Sequence, residues 1–254
     1  MKVLVLVKRV PAPGAKINIT ADEQAVDTKN LGFAMSPHEE CGVELAVQLV
    51  EAHGGTSTVM TLGAQEAEEQ LRYAVSLGVD NAILVPTDVD DWDPMATAKA
   101  LASAITEAEA GEPFDLIIFG NESADSGGYQ VGIRAAHALD RPIVSGIKAI
   151  EIDGEMVKAR RQTVAGLEEY RLTMPAIVAV KEGITLPRYP TMKGRLNARK
   201  AEVVASAQPH TPGGQKRVRL VPAPEQASNT VVLGEGPEAA ARIVDLLVEL
   251  GVLS

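Results

Sequence analysis

The sequence predicts an α/β protein: a mostly parallel sheet flanked by helices, with an antiparallel hairpin addition and an extended C-terminal arm ending in a helix. Three observations carry this. Between Lys2 and about Pro142, short β-rich runs alternate with stretches of helical period, the mark of parallel strands joined by crossover helices. After Pro142 the pattern changes to paired runs about the turn Asp153-Gly154. Between the two lies Asp125-Ser-Gly-Gly-Tyr-Gln-Val-Gly132, where the apolar run Leu116–Phe119 gives way to a helix, in the manner of a Rossmann-like sheet.

The elements follow in order. Val3–Val7 is the first strand, and the connector from Pro11 to Pro37, rich in Pro, Gly, Asp and Asn, exceeds ordinary βα loops and so reads as functional. A helix starts at Ser36-Pro37, where serine can cap and proline suits the first turn, with Val43, Ala46, Val47 and Val50 on its apolar face. His53-Gly54-Gly55 stops it. Thr58–Leu62 is the next strand, followed after Gly63 by a helix bearing Leu71, Ala74 and Val75. Asn81–Val85 is a strand, Trp92-Asp93-Pro94 opens a helix, and Ala98, Leu101, Ala102 and Ile105 form its apolar stripe. Phe114–Phe119 leads into the glycine turn.

That turn reads as an anion seat. Adjacent glycines let backbone approach a ligand, and N–H groups opening the helix from about Tyr129 face it, with Asn121, Ser123 and Ser126 as further donors. A glycine-rich turn that holds nothing is the alternative. Because ligands in open α/β sheets sit beyond the carboxyl ends of strands, Leu6, Ser36 to Glu39, Gly63 and the glycine turn should converge on one crevice.

After Pro142, Ile147–Ile152 and Met156–Arg161 read as a hairpin joined to the sheet, and Leu167–Leu172 and Ala176–Val180 as two more strands. From Glu182 to Lys200 no period survives. This segment is basic in an acidic chain and carries Leu186, Tyr189, Met192 and Leu196 among its charges, which suits docking to an acidic protein partner. A loop that tucks its Leu and Met under its own domain is the competing expectation. Gln226–Gly236 reads as extended, and Glu238–Leu250 as an amphipathic helix with Ala240, Ile243, Val244, Leu247 and Leu250 on one side. We therefore expect an α/β domain over residues 1–200, with a docking loop at 182–200, and an arm and helix over 201–254.

Composition narrows the function. A net charge of −10 over 254 residues argues against nucleic acid or an anionic membrane as partner. The single cysteine, Cys41, excludes an internal disulfide and a multi-cysteine metal site and fits a reducing, cytoplasmic setting. No apolar run reaches the roughly eighteen residues a membrane span needs. No Walker loop is present, no Gly-x-Gly-x-x-Gly follows the first strand, and no serine sits in a nucleophile elbow. The four histidines have no metal-ligand spacing. A nucleotide seat without a reaction centre favours binding or carrying over catalysis.

The Lys8-Arg9 pair after strand one, the Ser36-Pro37 helix start, the Gly120–Gly132 turn, Pro187-Arg188-Tyr189 and the terminal helix, all in order, resemble the electron transfer flavoprotein beta subunit over essentially the whole length. The resemblance implies a non-catalytic electron carrier: a heterodimer with an alpha subunit, FAD held mainly by alpha, and AMP buried in beta. It places AMP against Leu6, Ser36, Pro37, His38, Glu39 and Leu62, and along Gly120, Asn121, Glu122, Ser123, Ala124, Asp125, Ser126, Gly127, Gly128, Tyr129, Gln130 and Val131, with the last three at the phosphate.

His38 stands where the family often has an aromatic ring over the flavin, and Pro13 where a Tyr may approach it. Imidazole titration there would make the flavin potential depend on pH, which His38→Phe should remove. The implied docking residues are Leu186, Pro187, Arg188, Tyr189, Met192 and Leu196, with Met192 at an anchor position usually held by Leu. The implied partners are acyl-CoA dehydrogenase-type flavoenzymes and a membrane quinone reductase. Thr163-Val164-Ala165-Gly166 departs from the family signature. Bifurcating members carry a second FAD in place of AMP, and Asp125-Ser-Gly-Gly and Gly132-Ile133 favour AMP. Ser126-Gly127-Gly128 also resembles part of an ATP pyrophosphatase loop, but Tyr129-Gln130-Val131 follows instead of its Asp-Ser completion. A nucleotide-sensing module like the universal stress proteins would lack the hairpin, basic loop and arm. The arm helix and the edge facing alpha should leave the isolated chain prone to aggregate.

Overall fold

The computed structural model describes residues 1–89, 92–224 and 230–253. It falls into two units, Met1–Leu220 and Val221–Ser254. The first is built on β1 (Lys2–Leu6), β4 (Thr56–Gly63), β5 (Asn81–Pro86), β6 (Leu116–Gly120), β7 (Ile143–Ile147), β11 (Ala176–Val180) and β12 (Val203–Ala205). These form one parallel sheet in the order β12-β5-β4-β1-β6-β11-β7. Its helices are α1 (Pro37–His53), α2 (Glu68–Leu77), α3 (Pro94–Glu109), α4 (Gln130–Ala138) and α5 (Met192–Lys200). Within the connector, β2 (Val10–Pro11) and β3 (Phe33–Ala34) pair antiparallel.

The central strands are apolar on both faces because helices cover both. Val3, Val5, Leu116, Ile118, Val178 and Val180 join one core cluster with α1 and α2, while Leu4, Leu6, Ile117, Phe119 and Ile177 join a second with α3 and α4. Local chemistry starts the helices where the sequence predicts. Asp93 caps α3 by accepting from the N–H groups of Met95 (2.8 Å) and Ala96 (2.9 Å), and Gly54 ends α1 at φ 71°.

Three features differ from expectation. Ile143–Ile147, of which the sequence reading assigns only Ile147, to the start of a hairpin arm, is a parallel strand of the central sheet beside β11. The antiparallel strands β8 (Ala149–Asp153), β9 (Met156–Thr163) and β10 (Gly166–Thr173) do not join that sheet but form their own, in the order β10-β9-β8. The segment with no period contains α5. This helix buries only Ala198, so it leaves no apolar stripe to find. It is held at its ends instead: Thr191 accepts from Gly194 N–H at 3.0 Å. Arg72 of α2 donates to the carbonyls of Ala198 (2.9 Å) and Ala201 (3.0 Å) at the other end.

Close packing of α5 on α2 depends on Gly194, where a Cβ would stand 2.1 Å from the Ser76 carbonyl oxygen. Gly194→Ala should therefore push the helices apart and lower stability by roughly 1–3 kcal/mol in urea unfolding. An unchanged midpoint would show that α5 does not need that contact.

In the second unit, α6 spans Glu238–Glu249 and buries none of its residues. Ile243, Val244, Leu246, Val248 and Leu250 are all exposed. Of the stretch expected to be extended, Gln226 to Asn229 lies outside the described residues.

Candidate functional site

The strand order places the site. β1 lies between β4 and β6, so the chain leaves β1 to one side first and returns to the other later. At such a switch point the loops beyond the carboxyl ends diverge and leave a crevice. Here it measures about 960 Å³. Leu6, Leu62, Leu101 and Phe119 give it an apolar lining, with Gly63 at the end of β4, Ala64 and Ala67 beyond it, Thr87, Val89, Trp92 and Asp93 beyond β5, and the glycine turn beyond β6. Gln215, Lys216 and Arg217 lie across it from the C-terminal side. Asp93 holds that segment, accepting from Gly213 N–H at 2.8 Å with the oxygen not used on α3.

In the glycine turn, Gly127 adopts φ 62° and its N–H donates to Ser123 O at 3.1 Å. Gly132 lets α4 lie on β6, since a Cβ there would be 3.1 Å from Phe119 Cγ. The amides expected to face an anion are partly used within the turn. Tyr129 N–H donates to Gly127 O, and Val131 N–H to Gly128 O at 3.0 Å. Tyr129 turns its ring elsewhere, with its hydroxyl 2.9 Å from Ser145 Oγ. Gln130 and Val131 line the crevice, as do Glu122, Ser123, Asp125, Ser126, Gly127 and Gly128. Lys8 crosses to this turn, 2.6 Å from the Asp125 carboxylate and 3.1 Å from Ser126 Oγ. Burial alone would raise the Asp125 carboxyl, but the Lys8 ammonium holds it below the ordinary range.

The start of α1 supplies the buried wall. Glu39 is 6% exposed, and its carboxylate accepts from the N–H groups of Lys8 (3.0 Å) and Ser36 (3.1 Å). Burial nevertheless pushes its carboxyl up to about 7. Gly120 makes room for it, because a Cβ there would fall 2.7 Å from Glu39 Cγ. The Ser36 hydroxyl accepts from Ala124 N–H at 3.0 Å, tying the helix start to the turn.

Ser36, Pro37, His38, Asn121, Ala124 and Tyr129 do not line the crevice, whereas the other twelve residues predicted to meet a cofactor do. His38 is held outside it: Nδ1 accepts from Glu182 N–H at 2.8 Å and Nε2 lies 3.5 Å from Glu122. Asn121 is buried, with its N–H on Val180 O at 2.9 Å. Pro13 is exposed on the connector. Among the described residues no group of His, Cys, Asp and Glu is placed to hold a metal ion.

The strand-end rule reaches Lys8 and Arg9, just after Val7, but sequence reasoning missed Thr87, Trp92, Asp93 and the 215–217 segment as crevice residues. Extending the strand-end rule to β5 would have found Thr87 and its neighbours. Nothing in the local sequence marks Gln215 to Arg217.

A second surface lies at residues 186–196. Leu186 (88% exposed), Tyr189 (91%), Met192 (74%) and Leu196 (50%) project from the fold, so the apolar side chains do not tuck under their own domain. Arg188 fixes the loop. Its guanidinium donates to Glu44 at 2.8 and 3.0 Å and to Glu51 at 2.6 and 2.9 Å. The flanking Pro187 is half-buried.

A doubly wound parallel sheet with a glycine turn at its switch point places the chain in the α/β class whose ligands sit beyond the carboxyl ends of the strands. The family model for the electron transfer flavoprotein domain matches residues 25–211. Curated relatives named electron transfer flavoprotein subunit beta include one from Bacillus subtilis, 32% identical over 97% of both chains. One from Syntrophomonas wolfei is 31% identical over 96% of this chain and 95% of its own. One from Mycobacterium bovis is 32% identical over 79% and 77%. The chain belongs to the electron transfer flavoprotein family, on the side of its beta subunits.

Proposed function

We propose that this chain is the beta subunit of a heterodimeric electron transfer flavoprotein, with AMP in the switch-point crevice and a share in holding the FAD of the alpha subunit. The observation that carries the reading is family membership over nearly the whole chain, together with a crevice at the place where this sheet binds ligands. The residues suit an adenylate: Leu6, Leu62 and Phe119 offer apolar surface to a base, and Ser123, Ser126, Gly127 and Gly128 offer close approach and hydroxyl donors to a phosphate. The flavin supplies the electron storage. This chain contributes position and protection from water, and no group of its own reacts.

His38, fixed by Glu182 and near Glu122, is the residue of α1 assigned to the flavin side. Acyl-CoA dehydrogenase-type flavoenzymes dock on Leu186, Tyr189, Met192 and Leu196, while Arg188 holds the loop in place; a membrane quinone oxidoreductase accepts the electrons. The working compartment is the cytoplasm, and no described helix is long and apolar enough to cross a membrane.

The test is mass spectrometry of what the complex, co-expressed with its alpha subunit, releases on denaturation. One FAD and one AMP per heterodimer are expected. Two FAD would assign the chain to the bifurcating kind, and no nucleotide would overturn the proposal. The docking assignment has its own check. Tyr189→Ala with Met192→Ala should slow flavin reduction by the dehydrogenase at least tenfold and leave thermal stability within about 0.5 kcal/mol, as for exposed residues generally. An unchanged rate would remove it.

A further inference from the structure

Four cationic residues line the crevice: Lys8, Arg9, Lys216 and Arg217. Lys8 faces Asp125 at 2.6 Å, and Arg217 donates to the Gln24 carbonyl at 2.7 Å. Arg9 is held differently. Its guanidinium carbon lies 3.4 Å from the centroid of the Phe33 ring, and its Nε is buried with no hydrogen-bond partner. A buried N–H without an acceptor is unfavourable unless a ligand supplies one. Among the described residues that line the crevice, Arg9 alone carries such an atom.

The placement is built into the fold. Arg9 immediately precedes β2, and Pro11 of β2 pairs with Phe33 of β3, so the two short strands carry both the guanidinium and the ring beneath it. With one face against a ring, a guanidinium offers its edge, where Nε and one Nη point the same way and match two oxygens of a single phosphate. The glycine turn cannot supply that charge. Its lysine is met by Asp125, two of its amides close on Gly127 and Gly128, and Glu39 and Glu122 stand nearby on the same crevice.

We propose that Arg9, stacked on Phe33, is the residue by which the crevice selects a phosphorylated nucleotide over the bare nucleoside. This rests on the nucleotide-binding reading above and specifies its phosphate ligand. Phe33 is a positioning residue: it holds the plane of the guanidinium and does not itself meet the ligand.

The experiment measures binding of AMP and of adenosine to the purified heterodimer after its bound nucleotide has been removed. Wild type is expected to prefer AMP. Arg9→Gln should weaken AMP by about tenfold to a hundredfold, the range for a lost hydrogen bond to a charged group, and leave adenosine unchanged. Arg9→Lys, which keeps the charge but not the fork, should recover only part of the loss. Phe33→Leu should lower the AMP preference in the same direction by less, and it carries the test if Arg9→Gln does not fold. An AMP-to-adenosine ratio unchanged in both Arg9→Gln and Phe33→Leu would overturn the role of Arg9 while leaving the nucleotide site intact. Failure of wild type to bind AMP would overturn the nucleotide reading and this inference together.

Discussion

Arg188→Ala is expected to destabilise the protein by roughly 3 kcal/mol, because it strands a buried carboxylate. Glu44 sits on α1 almost fully covered, and its charge is met by the Arg188 guanidinium and by Gln48 Nε2 at 2.7 Å. Removing the guanidinium leaves one amide and one backbone N–H to compensate a full charge away from water. The guanidinium itself is a third exposed, which keeps the effect below the top of the range for buried pairs. Urea unfolding reads the loss directly. The double variant Glu44→Leu with Arg188→Met should recover most of it, since an apolar pair of similar volume avoids the desolvation. If Arg188→Ala unfolds at the wild-type midpoint, the ion pair is not what fixes the 186–196 surface. The same variant should also loosen the surface proposed for docking, because Leu186 and Tyr189 flank the anchored residue.

The second large effect is a pH dependence. Burial raises the Glu39 carboxyl from an ordinary 4.5 to about 7, so the folded state holds a proton that the unfolded chain releases at lower pH. The sign follows from linkage: stability from this group is full below about 4.5 and is lost as pH rises through about 7. The span corresponds to on the order of 3 kcal/mol. Glu39→Gln keeps an acceptor for the Lys8 and Ser36 amides but has no proton to lose. Relative to wild type it should therefore gain stability as pH rises from about 4.5 to about 7 and level off above that. Parallel stability curves for the two proteins across that range would show that Glu39 titrates as it does in water.

Much of this was legible in the sequence where local chemistry and burial agree. β1, α1 and α3 could be placed because apolar runs or stripes meet strong punctuation: Ser36-Pro37 before one helix and Asp93-Pro94 before the other. The legibility failed where stability comes from partners distant in sequence. α5 has a polar sequence and is held by Arg72, more than a hundred residues away. β12 is three residues long and, among the described residues, pairs with β5 alone. Ile143–Ile147 carries a glycine and sits beside a genuine hairpin, so its affiliation is set by β11 and not by its own pattern.

The crevice followed the same division. Its walls at β1, β4 and β6 came from the strand-end rule. The Asp93 anchor of the 213–217 segment joins residues 120 apart, and no periodicity announces such a contact.

The strand order also bears on how the chain reaches this state. β11 lies between β6 and β7, yet it is synthesised after both and after the whole β8–β10 sheet. Until Ala176–Val180 arrives, Leu116–Gly120 presents an unfilled apolar edge, and β7 has no central neighbour to rest on. The last central strand must slot into a gap instead of adding at a margin, so the non-local pairing at the middle of the sheet is completed late in the chain. A pause in synthesis before residue 176 would hold the nascent polypeptide with that gap open, whereas one late enough for Val180 to have left the ribosome would let β11 fill it, with only the edge strand β12 still to add.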